Sequence, residues 1–329
     1  MSARRLALAA ALTAGLLLTA CGSEEPDVTI GLITKQEANP YWVTMREVAE
    51  ATARDENVEL LTAAGTSDVD VDSQIAALQE MTAQGATGIL IAPTDSQALV
   101  PAIEEARQAG VTVIAVDTPT DPESAVDAVF ASDNHEAGEL IGQYAAAKVV
   151  ELGLTPRIAL LDLAPGIASG EQRRAGFLAG FGLEEDDPQI VGSIDTEGDQ
   201  AKGEAAMAEL LAQDPGINVV YAVNEPAALG AVTALDEAGV GPDEVVLVTV
   251  DGGCEAIKNA VRPGDIDATA QQFPENMARE GVTALAKHAR GGAAPSGFLN
   301  TGVVLITGNP APGIESRDVA FGVRNCWGD

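Results

Sequence analysis

The chain is poor in aromatics, in bases and in the residues that carry redox or acid–base chemistry. Phe, Trp and Tyr make up 3% of it, with two Trp and three Tyr, so an aromatic pair outside a core pattern carries information. Lys and Arg number 18 against 50 Asp and Glu, a formal net charge of −32. A surface this acidic repels phosphate backbones and argues against a nucleic-acid partner. Otherwise it favours solubility and says little about fold. The two histidines, His135 and His288, stand apart, and no Cys-x-x-Cys occurs. A zinc site or a His-based triad therefore has little support. No Gly-rich phosphate loop follows a strand-like run. Asp68-x-Asp70-x-Asp72 opens like a calcium loop, but Ser73 stands where the sharp-turn glycine belongs and Gln79 where the bidentate glutamate belongs. It reads as a solvated turn capping the helix through Ile75. No metal and no cofactor are expected.

A bilayer-spanning run is also missing. The uncharged Ala/Leu-rich stretch from Leu6 to Ala20 is 15 residues long, short of the roughly 20 a spanning helix needs. Arg4 and Arg5 precede it and Leu18-Thr19-Ala20-Cys21 ends it, the layout of a secretory signal. The cysteine after Leu-Thr-Ala resembles a bacterial lipobox, so residues 1–20 read as signal peptide, Cys21 as the lipidated first residue, and 21–27 as a spacer. A plain secreted protein and an uncleaved anchor are the alternatives. The lipobox reading puts the protein outside the cytoplasm, on the outer face of the cell membrane or in a periplasm, with the lipid as its sole membrane contact. Losing Arg4 and Arg5 leaves 16 bases against 50 acids, a balance of −34. About 309 residues remain, which suits two domains better than one. With Cys21 taken, Cys254 and Cys326 form an even pair in an oxidising compartment. A disulfide is the default there; two buried free thiols are the alternative.

Short apolar runs recur through the rest. The first half has Val28–Ile33, Val58–Leu61, Ile89–Ile91 and Val111–Val116; the second has Ile158–Leu163, Ile190–Ile194, Val219–Val223, Val245–Val250 and Ile266–Ala270. Helical stretches lie between them, one with Ile75, Leu78 and Met81 on a face, another with Leu99, Ile103 and Ala106. Others are expected at Glu136–Val150, Gln172–Phe181, Lys202–Ala212, Pro226–Ala238 and Glu255–Val261. Continuous apolar strands separated by helices predict parallel sheets covered on both faces. The class is α/β, with two Rossmann-like, doubly wound lobes, and Val129-Phe130-Ala131 carries the first crossing between them. Ligands of such sheets bind beyond the carboxyl ends of the strands.

The strand ends are polar. Lys35, Asn39, Tyr41 and Trp42 follow the first strand, Asp117 and Thr118 the fourth. Asn224, Asp251 and Gln271-Gln272 follow strands of the second half, and Arg173 starts a helix beside Arg174. Adjacent aromatics can cover the apolar C–H face of a carbohydrate while carboxylate, amide and guanidinium groups meet its hydroxyls. The alternatives are plain: Trp42 packs in the core, Asp117 caps a helix or turns a loop, and one of the two arginines is on the surface.

These segments resemble a known family. Asn39-Pro40-Tyr41-Trp42, Val113–Asp117, Ala131-Ser132-Asp133-Asn134, Asn224–Ala231, Val250-Asp251-Gly252 and Gln271-Gln272-Phe273-Pro274 occur in the order and spacing of periplasmic sugar-binding proteins of the ribose-binding type, the receptor subunits of bacterial ABC importers. The resemblance runs from about Val28 to the C-terminus. It implies the type I periplasmic binding protein fold, with a three-strand hinge crossing near Ala131, Phe273 and Asn300. One lobe would then comprise residues 28–131 with 273–300, and the other 132–272 with 301–329. It aligns Lys35, Asn39, Tyr41, Trp42, Asp117, Arg173, Asn224, Asp251 and Gln272 with ligand contacts, and Thr118 with the residue that follows the aspartate. Lys35 replaces a small hydroxyl residue of ribose binders, Thr118 an arginine, and Gly198 and Val250 aromatics, so ribose itself fits poorly.

A closer likeness is to the family's fructose-binding receptors, through Gly31–Lys35, Leu60–Gly65, Asp117–Pro122, Asp251–Cys254 and the tail from Thr301 to Gly328. That likeness favours a ketohexose and supports pairing Cys254 with Cys326. It implies a monomer that is no enzyme and hands its monosaccharide to a permease with its ATPase. The rival readings are a receptor of the same fold for another pentose, hexose, sugar alcohol or autoinducer, a lactose-repressor-like regulator, and a glycosidase using Asp117 and Asp251. The regulator would need a helix-turn-helix ahead of the lobes, where a signal segment stands. The glycosidase would need a distinct general base, and none is singled out.

Overall fold

The computed structural model describes residues 28–328; the signal, the lipobox and Cys21 lie outside the described residues. The chain alternates from the start: β1 (Thr29–Thr34), α1 (Pro40–Asp55), β2 (Glu59–Ala64), α2 (Val71–Ala83), β3 (Gly88–Ile91), α3 (Val100–Gln108), β4 (Thr112–Val116) and β5 (Ala128–Ala131). It continues with α4 (Asn134–Leu152), β6 (Ile158–Asp162), α5 (Ala168–Phe181), β7 (Ile190–Asp195), α6 (Gln200–Gln213), β8 (Val219–Ala222), α7 (Glu225–Ala238) and β9 (Val246–Asp251). Next come α8 (Cys254–Ala256, prolonged by a π turn over Ile257–Val261), β10 (Ala268–Gln272), α9 (Pro274–Ala289), β11 (Gly297–Asn300), β12 (Val303–Thr307) and α10 (Val319–Asn325).

Two six-stranded sheets result, ordered β11-β5-β4-β3-β1-β2 and β12-β10-β9-β8-β6-β7. All pairings are parallel except β12, which runs antiparallel to β10. The chain passes between the sheets three times: after β5, after β10, where α9 packs back on the first sheet, and between β11 and β12. Among the described residues no helix is long and apolar enough to cross a membrane.

Each sheet separates two hydrophobic cores. Along β3 and β4, Leu90, Ile114 and Val116 point into the core under α1 and α9, and Ile89, Ile91, Val113 and Ala115 into the core under α2 and α3. In the second sheet Leu160 and Leu161 likewise enter opposite cores. Burial on both faces is why these strands read as continuous apolar runs rather than alternating ones.

Several boundaries differ from the sequence reading. Asp251, Gln271 and Gln272 are the last residues of β9 and β10 rather than residues after them. Their ladder bonding continues past the apolar run, because backbone pairing does not depend on side-chain polarity. Arg173 lies in the second turn of α5, which begins at Ala168; Ala168-Ser169-Gly170 has no apolar period to announce it. Both β11 and β12 escaped notice as strands. The first is an edge with all four residues exposed, so it lacks a buried pattern.

Helix α5 is held close to α4 by glycine. A Cβ on Gly138 or Gly142 would collide with the backbone at Arg173 and Phe177, and one on Gly176 or Gly180 with the backbone at His135 and Glu139. These four positions let the helices touch main chain to main chain and so set the height of α5 above the sheet. Because backbone rather than a flexible side chain would have to yield, Gly138→Ala should destabilise the second lobe by about 1–3 kcal/mol. Urea unfolding measures this, and an unchanged midpoint would mean the helices slide apart freely.

Candidate functional site

The polar strand ends of both sheets converge on one enclosed cluster. Lys35, which follows β1, is 2% exposed, and Asp117, which follows β4, is 3% exposed. From the second lobe come Arg173 of α5, Asn224 at the start of α7, and Asp251 and Gln272 at the ends of β9 and β10, all buried. Asp117 stands at the centre. Its Oδ1 accepts a bond from the Tyr41 hydroxyl at 2.9 Å and lies 3.7 Å from Arg173. Its Oδ2 accepts from Thr118 Oγ1 at 2.8 Å and lies 3.6 Å from Lys35 Nζ. Lys35 donates in turn to Thr118 Oγ1 at 2.9 Å. Since Thr118 has already given its one hydroxyl proton to Asp117, Ser169 of α5 must be the donor in the 2.8 Å Thr118–Ser169 contact across the lobes.

Arg173 joins the two halves. Its guanidinium donates to Asn134 Oδ1 at 2.8 Å, to the Val223 carbonyl at 3.1 Å and to Asp251 Oδ1 at 3.3 Å, besides facing Asp117. Burial works against its charge, but Asp251 and Asp117 outweigh it and hold Arg173 above its ordinary value. Burial pushes Asp251 up, opposed by Arg173 and by the bonds from the Glu225 amide and Gln272 Nε2. Burial, then the field of Asp117 and Asp251, drives the Tyr41 hydroxyl well above its usual range, so it stays a donor. Arg174 points elsewhere and pairs with Asp162 and Glu185.

Asp117 and Asp251 have φ of 63° and 107°, in the region L-residues avoid at a cost of about 1–3 kcal/mol each. Asp117 follows β4 with no helix adjoining it, so it is no helix cap. Asn39 and Asn224 are caps: their side chains accept from the amides of Tyr41 and Ala227 at the starts of α1 and α7. The Asn224 amide also donates to the Gly198 carbonyl at 3.2 Å. Tyr41 and Trp42 are both buried and meet edge to face at 4.8 Å. Trp42 thus belongs to a core cluster while also lining the cavity, and Lys35 Nζ lies 5.7 Å from its ring.

The cavity among these groups holds about 20 Å³, on the order of one water molecule. In this conformation the lobes are shut and the polar groups bond to one another. Two buried atoms in the cluster nonetheless lack a partner among the described residues, the donor Trp42 Nε1 and the acceptor Gln272 Oε1. A larger cavity of about 660 Å³ lies beside it, between α1 and α7, lined by Pro40, Val43, Leu229, Cys326 and Trp327 with Glu47 and Glu225. Asn39, Thr44, Gln200 and Glu255 also line it, but the buried charges of both lobes meet at the small cavity, which is therefore the candidate site.

The family model described as "Periplasmic binding protein domain" matches residues 30–293. The chain belongs to this family. It is 30% identical over 321 residues to the D-ribose/D-allose-binding protein of Pseudomonas aeruginosa, covering 93% of this chain and 98% of that one. A solute-binding protein of an ABC transporter from Mycobacterium smegmatis, solved with glycerol, is 31% identical with a TM-score of 0.75, covering 84% and 93% of the two chains. Another from Agrobacterium vitis, solved with D-fucose, is 26% identical with a TM-score of 0.77, covering 85% and 95%. These relatives bear the names of binding proteins of transporters, not of enzymes, and the chain is a binding protein of the same kind.

Sequence reasoning missed Asp68. The sequence places it in a solvated turn, and Asp70 of that turn does cap α2 through the Ser73 amide. Asp68 instead is buried against the cavity, where Gln36 donates to its Oδ1 at 2.9 Å; burial raises its pKa and Lys35 pulls it back. An Asp-x-Asp-x-Asp run says nothing about which member turns inward. Ser169 was also missed, because its helix start is silent in sequence.

Glu225 is a further buried acid of this binding protein. Its carboxylate accepts from the Gly253 amide at 2.5 Å and the Ala256 amide at 3.2 Å. Burial, then repulsion by Asp251, push its pKa from 4.5 up to about 7 despite those donors. The folded state therefore binds the proton more tightly than the unfolded state. Stability from this group is full below pH 4.5 and is lost as pH rises to 7. Glu225→Gln should be more stable than the parent at pH 8 by at most about 3 kcal/mol, an advantage that fades by pH 4. Urea unfolding at pH 4, 6 and 8 checks the sign; an advantage independent of pH would remove the titration as its cause.

Proposed function

We propose that this protein is the sugar-capturing receptor of an ABC importer, with fructose as the leading ligand. The observation that carries the reading is the convergence of Asp117, Arg173 and Asp251 from two lobes onto one small cavity beside Tyr41 and Trp42, with Gln272 hydrogen-bonded to Asp251 behind it. A polyhydroxylated ligand suits this set. Each hydroxyl both donates and accepts, so it can replace the bonds the groups now make to one another, and it can use Trp42 Nε1 and Gln272 Oε1. The cavity must widen to admit a sugar, which requires the lobes to part. The ligand then favours closure through contacts made with both lobes, and exclusion of water strengthens those bonds.

The names of the relatives support the sugar class. The likeness to fructose receptors supports a ketohexose, and Lys35 and Thr118, where ribose binders differ, weigh against ribose. The family's role and the lipobox-like Leu18-Thr19-Ala20-Cys21 support a monomeric lipoprotein tethered at Cys21 outside the cytoplasm, delivering to a permease and its ATPase. Lys35, Asn39, Tyr41, Trp42, Asp117, Thr118, Arg173, Asn224, Asp251 and Gln272 are the proposed ligand set, joined by Asp68.

Isothermal titration with fructose, ribose, xylose, glucose, galactose, mannitol and inositol tests the reading. One-to-one binding of fructose at micromolar affinity or tighter is expected; binding of another sugar alone would keep the class and discard fructose. Silence across the panel from folded, ligand-stripped protein would sink the sugar reading. Asp117→Asn keeps the shape and tolerates the left-handed backbone, though it leaves Lys35 and Arg173 with less opposite charge, so binding is read on protein shown to be folded by its urea transition. Losing a charged acceptor costs about 1.5–3 kcal/mol, which predicts binding more than tenfold weaker. Unchanged affinity would place Asp117 outside the site.

A further inference from the structure

The C-terminal tail joins the lobes a fourth time. Cys326 is bonded to Cys254 at the start of α8, and the Cys254 amide donates to the Trp327 carbonyl at 2.8 Å. The tail backbone is thus fastened to the second lobe by a covalent bond and a hydrogen bond on either side of one peptide unit. Its side chain goes the other way. Trp327 is 5% exposed and packs in the first-lobe core cluster with Tyr41, Met45 and Met277. Its ring meets Tyr41 edge to face at 5.2 Å, and its Nε1 donates to the Gln272 carbonyl at 3.1 Å, one residue before the second crossing. On its other side lies the 660 Å³ cavity.

We propose that Trp327 is a positioning residue for the ligand site. Held by the disulfide, it forms the wall that keeps Tyr41 from sliding into the large cavity, and so keeps the Tyr41 hydroxyl on Asp117. Tyr41 has the Trp42 ring on one side and Trp327 on another, both edge to face, and its hydroxyl also contacts Met277 Sδ at 3.4 Å. Remove the indole and the cavity extends to the phenol ring. Asp117 then loses a donor that its buried charge requires. The same indole fixes the backbone of Gln272, whose side chain donates to Asp251. One residue outside the charged cluster thereby sets a donor in each lobe. An intact Cys254–Cys326 bond is part of the arrangement, because it determines where Trp327 can reach.

The inference rests on the sugar-binding reading for its effect on affinity, so the test has two arms, both on the full chain. In the first, ligand-free amide exchange is followed by mass spectrometry. Trp327→Ala and Cys326→Ser should each speed exchange in the segment 112–121 around Asp117 at least tenfold and leave β8 unchanged. No change around Asp117, or equal acceleration in β8, would overturn the proposal whether or not a sugar binds. In the second, sugar titration should show Trp327→Ala and Cys326→Ser weakened more than tenfold, with Trp327→Phe restoring affinity to within about threefold of the parent. Trp327→Ala combined with Tyr41→Phe should be no weaker than the worse single variant. Additive losses, or unchanged affinity in Trp327→Ala, would overturn it. If the parent binds no sugar, the receptor reading falls and the exchange arm alone decides.

Discussion

The carboxylate of Asp117 is buried, and a buried charge costs several kcal/mol unless its neighbours replace the water it has lost. Most of what surrounds the cleft meets that requirement. Lys35 and Arg173 supply opposite charge, Tyr41 and Thr118 supply donors, and Asn134 Nδ2 donates to the Asp117 carbonyl at 3.0 Å. These partners come from the neighbouring strand end, from α1, from the first residue of α4 and from α5 of the opposite lobe. A single strained residue, φ 63°, is therefore where two independently cored lobes become electrostatically dependent on one another.

The same balance explains why such a cluster can bind and release. Every group in it is satisfied, or nearly so, by another member in the closed form, and each can be satisfied by a hydroxyl or by water when the lobes part. Closure exchanges one set of hydrogen bonds for another, so the net gain stays modest. The rigid parts lie elsewhere. Main-chain contact between α4 and α5 fixes Arg173 in height, and the Asn39 and Asn224 caps fix the starts of α1 and α7 at the cleft edge. The tail adds a brace anchored in the second lobe and seated in the first.

Excess negative charge colours the site as it does the surface. Asp68, Asp117 and Asp251 face Lys35 and Arg173, with Glu225 behind Asp251. Burial lifts the pKa of Asp68, Asp251 and Glu225, that of Glu225 to about 7, so these acids hold their negative charge less readily than surface ones. An uncharged polyol is compatible with that site because it brings no charge that must itself be desolvated.

The sequence by itself determined the α/β class, the two sheets and most of the polar strand ends. Doubly buried parallel strands must be apolar throughout, and the residues that follow them must face the crevice; both are local consequences of period and position. Tertiary structure alone decided which polar residues turn inward. Asp68 and Asp70 are two apart in one acidic run, yet one lines the cavity and the other caps a helix. Arg173 and Arg174 are neighbours that face opposite partners, and Arg173 sits mid-helix because α5 begins without an apolar signal. Trp327 lies 285 residues from Trp42 yet shares the face of Tyr41, since a disulfide and a hinge carbonyl bring the tail there. Side-chain direction at such places depends on what packs opposite, and that partner is always another part of the chain.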